Sequence, residues 1–406
     1  MNINVKSEIG RLRKVLLHRP GEELENLVPN ALDQLLFDDI PWLDLARKEH
    51  EAFAKIFIDL GVEVLYLEDL VAETLDQSKE IKDNFITQFL DEADIYSETL
   101  TEVVTQYLNS FSNNLEMVNK TMAGIRKTDL PSFAPRTLSD FIEDYPFVTD
   151  PMPNLYFTRD PFAIIGGGVC INKMFAKTRT REAIYGEYIF KYHHQYGNTK
   201  IPIYYKRDFK STLEGGDIMV LNDKILAIGI SQRTHPAGIE RLAKSLLYDN
   251  QTSFEKILAF DIPKTRAFMH LDTIFTQVDY DKFTIHHDLT HELKVYELTK
   301  AGDYKLSIKR IEKKLVDILE LYLQRSITLI PCGDGDSIAG AREQWNDGAN
   351  TLAVAPGEVI VYDRNHITNE ALRKQGIKVH VMAASELSRG RGGPRCMSMA
   401  FIRDDL

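Results

Sequence analysis

The chain has 406 residues and is 44% hydrophobic, enough for a large core, and no linker divides it, so one unit spanning residues 1–406 is expected. A net charge of −11 argues against general binding of nucleic acid or of an anionic membrane. There is no basic-then-apolar leader and no long apolar run, so neither secretion nor a membrane span is expected; Cys170, Cys332 and Cys396 form no disulfide framework and no paired metal knuckle, which suits a reduced, cytoplasmic setting.

Residues 14–17 read as a short apolar strand running into Leu17-His18-Arg19-Pro20. The three- and four-residue spacing of Leu45, Ala46, Phe53, Ile56, Phe57 and Leu60 predicts a helix, closed by Gly61 and followed by a strand over 62–67. Residues 73–144 offer no good strand. Ile81, Phe85 and Phe89, then Val103, Tyr107, Phe111, Leu115 and Val118 keep a helical period, which predicts a helical insertion. Strand, helix, strand then recurs over 168–174, 181–192 and 200–205. Hairpins follow over 218–221 with 224–229, 273–278 with 282–285, and 352–355 with 359–362. Helices are expected over 239–247, 311–323 and 369–375, and strands over 256–260, 327–330, 377–382 and 397–402. The junction at 59–64 echoes the one at 374–379, and about five such units can be counted, so the expected fold is α/β, an internally repeated ring rather than one open sheet.

Four stretches carry side chains suited to chemistry. Near the end, Ser388-Arg389-Gly390-Arg391-Gly392-Gly393-Pro394-Arg395-Cys396 reads as a glycine-rich loop, its glycines reaching backbone angles closed to other residues, that delivers a cysteine to the last strand. A cysteine at a loop–strand junction with arginines before it is a candidate nucleophile, although a small buried hydrophobe fits the same place. Asp160 follows an aromatic run and precedes a proline, which also suits an ordinary turn. Glu214-Gly215-Gly216-Asp217 sets two carboxylates around paired glycines before a strand, as an acidic turn also would. His270 and Asp272 lie two apart and share a face if the segment is extended; a core histidine is the plain alternative. With Asp160 they could be ligands, but no helical ligand spacing supports a metal, and a hydrolytic metal would leave Cys396 without a role. One cysteine, one histidine and several carboxylates suit a guanidinium, whose planar fork pairs with carboxylates and whose central carbon accepts a thiolate.

The motifs Pro151-Met152-Pro153-Asn154-Leu155-Tyr156-Phe157-Thr158-Arg159-Asp160-Pro161, Leu213-Glu214-Gly215-Gly216-Asp217, Met269-His270-Leu271-Asp272-Thr273 and Arg395-Cys396-Met397-Ser398-Met399 closely resemble the arginine deiminases of the guanidino-group-modifying superfamily, and the resemblance runs the full length. It implies a five-module α/β propeller of pseudo-fivefold symmetry, with 73–144 inserted. It implies hydrolysis of L-arginine to L-citrulline and ammonia, in arginine catabolism, with no metal or cofactor. Carried over, Cys396 is the nucleophile, His270 the acid and base, Asp160 and Asp272 the guanidinium carboxylates, and Glu214 the residue that orients His270. Asn154, Arg179 and Arg233 hold the substrate's α-carboxylate, although Arg181 and Arg207 lie close enough in sequence to compete. Phe157, Asp217 and Arg391 complete the substrate site. A homo-oligomer, dimer or higher, is expected. An agmatine hydrolase or other guanidine-modifying enzyme, an amidinotransferase, a peptide-directed cysteine hydrolase and a non-catalytic amino-acid-binding propeller are the rival readings. Carboxylates near a thiol favour its neutral form, so a cationic substrate is expected to tip Cys396 to thiolate. With no substrate bound, Arg391 is expected to turn toward the acidic residues.

Overall fold

In the computed structural model, which describes residues 3–132, 137–141, 145–197, 201–249, 251–264, 268–289 and 292–406, helices alternate with mixed sheets, as an α/β chain should. Five sheets contain one and the same unit: an antiparallel pair whose second strand also pairs in parallel with a third. The units are Phe162–Ile165, Gly168–Ile171 and Ile203–Tyr205; Ile218–Asn222, Ile225–Ile230 and Lys256–Asp261; Phe275–Gln277, Lys282–Ile285 and Thr328–Pro331; and Leu352–Ala355, Glu358–Tyr362 and Lys378–Met382. The fifth joins the two ends of the chain, with Leu12–Leu17 antiparallel to Met399–Arg403 and parallel to Glu63–Tyr66. This closure brings the cysteine loop beside the first strand.

The junction echo has a physical basis. Gly61 (φ 75°) and Gly376 (φ 79°) both take the left-handed conformation after a helix, where a side chain is strained. In each the next residue's amide reaches back to the helix, Val62 N to Phe57 O at 2.9 Å and Ile377 N to Leu372 O at 3.1 Å. Each turn then releases the chain into the parallel strand of its unit.

Three expectations change. The helix expected over 311–323 begins only at Leu315, because Leu306–Lys313 is a strand paired with Leu293–Lys300, which widens one sheet to five strands. Leu293–Lys300 turns Leu293 and Val295 to one hydrophobic core and Leu298 to another, whereas Leu306–Lys313 is mostly exposed and shows no buried stripe. The strand expected over 62–67 stops at Tyr66, and a helix starts at Leu67. Within 73–144, helices Lys79–Glu92, Glu98–Asn109 and Asn114–Ala123 follow, and Ile125–Arg126 makes a short pairing with Phe147–Thr149. Residues 133–136 and 142–144 of that segment lie outside the described residues, as does Lys200 at the start of the expected strand 200–205.

Candidate active site

The chemical side chains sit in or beside short turns that border the strands. The turn Pro153–Tyr156, with proline at its start, hands the chain to Phe157 and Asp160 just before Phe162–Ile165. Glu214 precedes the single turn Gly215–Asp217, which runs directly into Ile218–Asn222. Gly216 has to be small: a Cβ there would lie 2.5 Å from His270 Nδ1. His270 is extended (φ −138°, ψ 169°) and opens the turn Leu271–Thr273. Asp272 therefore lies inside a turn and not beside His270 on one extended face, as the two-residue spacing suggested.

Cys396 also departs from expectation. It occupies a turn closed by Met397 N to Gly393 O at 3.2 Å and Ser398 N to Arg395 O at 3.2 Å, and the last strand begins only at Met399. Its own amide donates to Asn350 Oδ1 at 3.2 Å. Among the loop residues the left-handed conformation belongs to Arg391 (φ 62°), not to Gly390, Gly392 or Gly393. Those glycines supply room instead. A Cβ on Gly392 would come within 2.3 Å of the Phe157 ring, and one on Gly393 within 2.5 Å of Asn350 O.

A cavity of about 440 Å³ is lined by Asn154, Phe157, Asp160, Arg179, Arg233, His270, Arg391 and Cys396, so eight of the residues expected at the site share one wall. Glu214, Asp217 and Asp272 are fully buried behind it. His270 Nε2 meets Glu214 Oε2 at 2.8 Å, and its Nδ1 faces Asp160 Oδ1 at 3.8 Å. Glu214 Oε1 accepts from Phe175 N at 2.9 Å. Asp217 accepts from Ser231 Oγ at 2.6 Å and from Leu271 N at 3.0 Å, tying the turn behind His270 to the turn after Glu214. Asp272 Oδ2 lies 2.7 Å from Arg395 Nη1 and 3.6 Å from Cys396 Sγ, while its Oδ1 has no hydrogen-bond partner among the described residues.

The arginines divide by partner. Arg179 is buried in ion pairs with Asp160 at 2.9 Å and Glu182 at 2.8 Å. Arg233 Nη1 lies 3.6 Å from Glu214, and this buried nitrogen has no hydrogen-bond partner among the described residues. Asn154 Nδ2 donates to Leu35 O at 2.7 Å. Arg391 lies with its guanidinium carbon 3.6 Å from the centre of the Trp345 ring and its Nη1 3.4 Å from Asp38. The loop arginine thus has an aromatic and an acidic partner at the pocket wall, and the cations placed on Asp160 and Asp272 are Arg179 and Arg395.

Burial and the negative charges of Asp272, Asp160 and Asp347 push the Cys396 thiol well above its ordinary value, so the free protein holds a neutral thiol. Burial alone would lower His270, but Asp160, the Glu214 hydrogen bond and Asp217 outweigh it and raise the ring to about 9. Burial works against Glu214 as an anion; the His270 hydrogen bond and the charge of Arg233 prevail and hold it at about 2. Asp217 and Asp347 are both pushed up to about 7 by burial. Asp160, Glu214 and His270 bring one ligand atom each within 4.8 Å of one another, close enough to share a metal ion. A protonated imidazole between two carboxylates already places a cation there, which disfavours a second one.

Asn350, Glu182 and Arg395 were not singled out from the sequence. Arg395 stands in the cysteine motif, next to Cys396, and that adjacency was the available signal. Asn350 and Glu182 had none, since their partners lie in other units or come from a local ion pair. Cys170 and Cys332 are buried thiols, as expected of structural cysteines, and burial pushes Cys332 up to about 12.

The sequence model of the family described as arginine deiminase matches residues 33–403. The chain is similar to the arginine deiminase of Clostridium perfringens, 57% identical over 100% of this chain and 98% of that one. It is 52% identical to the arginine deiminase of Treponema denticola, over 100% and 99% of the two chains. Among solved structures, an amidinotransferase from Microseira wollei aligns with TM-score 0.56 at 16% identity, over 100% of this chain and 98% of that one. A dimethylarginine dimethylaminohydrolase aligns with TM-score 0.50 at 15% identity, over 96% and 100%. These two show a shared fold.

Proposed function

We propose that this chain, which belongs to the arginine deiminase family and hydrolyses L-arginine to L-citrulline and ammonia, does so through a covalent thiouronium intermediate on Cys396. The observation that carries this reading is Cys396 Sγ, 3.6 Å from Asp272 Oδ2 in a cavity also lined by His270 and Asp160. The substrate guanidinium lies between the two carboxylates. Its positive charge offsets theirs, and the thiol gives up its proton to solvent as the substrate binds. Cys396 Sγ attacks the central guanidinium carbon. Protonated His270 gives its proton to the departing nitrogen, ammonia leaves, and the thiouronium remains. Neutral His270 then takes a proton from water, the resulting hydroxide attacks the same carbon, and collapse releases citrulline while the hydroxyl proton passes to the departing cysteine sulfur, which is restored as the thiol. Glu214 keeps the ring oriented for both halves.

Asp160→Asn and Asp272→Asn each raise KM and lower kcat, because an amide presents donors where the guanidinium needs acceptors. Steady-state kinetics on arginine check this, and unchanged constants in both variants mean the two carboxylates are structural.

The resemblance gives Arg179 and Arg233 jointly to the α-carboxylate. The geometry supports Arg233 more directly, since a buried Nη1 with no hydrogen-bond partner among the described residues is costly until a substrate oxygen meets it. Arg233→Ala therefore loses far more kcat/KM on arginine than on agmatine, which lacks the carboxylate. Arg179→Ala, which strips Asp160 of its arginine partner, depresses both. Ammonia release from arginine, agmatine and a peptidyl-arginine reads this and tests the function itself. Ammonia from agmatine or the peptide in preference to arginine would hand the site to a rival reading.

The same proposal covers architecture and setting. The repeated three-strand unit supports five modules in a ring of pseudo-fivefold symmetry, and the helices within 73–144 support an insertion into one catalytic unit of residues 1–406. A homo-oligomer and a cytoplasmic home complete it. Three unpaired cysteines suit the latter, and no helix of the described residues is long and apolar enough to cross a membrane.

A further inference from the structure

Glu8 is far from the cysteine loop in sequence and directly behind it in space. Its Oε2 lies 3.1 Å from Arg395 Nε, and its Oε1 accepts from Val220 N at 3.1 Å. Arg395 is engaged on all three nitrogens. Nε meets Glu8, Nη2 donates to Ile218 O at 2.7 Å, and Nη1 meets Asp272 Oδ2 at 2.7 Å. The Arg395 side chain is 1% exposed and that of Asp272 is fully buried, so water cannot take over any of these contacts. The segment that carries Glu8 is anchored by the last strand: Arg403 N donates to Asn4 O at 2.7 Å and Arg403 Nη1 to Gly10 O at 2.8 Å. Burial disfavours the Glu8 anion, but Arg395 and Arg159 outweigh it and hold the carboxyl at about 2, so it is ionised throughout the neutral range.

An arginine and a carboxylate prefer to meet side-on through two parallel hydrogen bonds. Here a single oxygen of Asp272 is engaged and the other has no partner among the described residues. We propose that Glu8 is a positioning residue for the reaction: by holding Arg395 Nε it keeps that guanidinium on one oxygen of Asp272 and leaves the other for the guanidinium of the substrate. This rests on the assignment of Asp272 to the substrate made above. Without Glu8, Arg395 turns to take both oxygens, and the protein's own arginine competes with the substrate.

The test is Glu8→Gln beside Asp272→Asn, with kcat, KM and thermal unfolding measured on each full-length protein. Glutamine keeps an oxygen for Val220 N but either loses its grip on Arg395 Nε or sets an amide donor against it. The expected result is a KM for arginine raised at least about tenfold with a much smaller change in kcat. A lowered unfolding temperature with unchanged KM, and kcat reduced only by the inactive fraction, would mean that Glu8 is structural and would overturn the proposal. If Asp272→Asn itself leaves KM unchanged, the assignment of Asp272 fails and the proposal with it; if only Glu8→Gln leaves KM unchanged, the proposal alone fails. Should Glu8→Gln not fold, Glu8→Asp carries the test. It keeps the charge on an arm one methylene shorter, so it too must raise KM, and an unchanged KM is again the overturning result.

Discussion

Cys396→Ser leaves the fold standing and lowers turnover by more than about 10⁴-fold. The substitution is nearly isosteric at a buried position, and the backbone contacts of the turn, Cys396 N to Asn350 and Arg159 N to Cys396 O, do not involve the sulfur. An alcohol among Asp272, Asp160 and Asp347 does not ionise at neutral pH, even with a cationic substrate beside it. Citrulline formation and thermal unfolding are measured together, so that loss of chemistry is separated from loss of structure. In the unsubstituted protein, acid quenching during turnover should trap the peptide bearing Cys396 with the added mass of arginine less ammonia. Citrulline production by Cys396→Ser near the parent rate would take the nucleophile away from this residue.

His270→Ala lowers kcat by about 10²–10⁴-fold, because one ring both protonates the departing nitrogen and later takes a proton from water. A rate within about tenfold of the parent places the proton transfer elsewhere. The ring's own titration offers a second readout. Asp160, Glu214 and Asp217 raise the folded value above the ordinary 6.5, to about 9. The protonated ring therefore contributes stability that is fully present below the unfolded-chain value and lost as pH rises through about 9. An NMR titration of His270 should show a charged ring at pH 7 that loses its proton near pH 9. A midpoint at the ordinary value would mean that the carboxylates do not act on it.

Some of this chain was legible from residue order because the forces involved are local. Gly61 and Gly376 stop their helices by a backbone preference that needs nothing from the rest of the fold, and both junctions were placed correctly. The helices Leu43–Asp59 and Pro236–Tyr248 declared themselves through apolar spacing, because each buries one face. The strand Leu306–Lys313 did not. Its side chains are mostly exposed, and its pairing with Leu293–Lys300 is made by backbone hydrogen bonds that leave no apolar alternation to read. Within the site, residue types and motifs pointed to Cys396, His270, Glu214, Asp160 and Asp272, and the structure brings these five together at one cavity. What each one touches was decided by units meeting in space. Asp272 and Cys396 lie in turns and not on strands, and Arg391 takes the left-handed backbone while the glycines beside it make room for Phe157 and Asn350. The tertiary structure alone pairs Arg179 with Asp160 and Arg395 with Asp272, because buried carboxylates are stabilised by whatever cations the fold brings within reach, and reach is a property of the closed chain and not of its order.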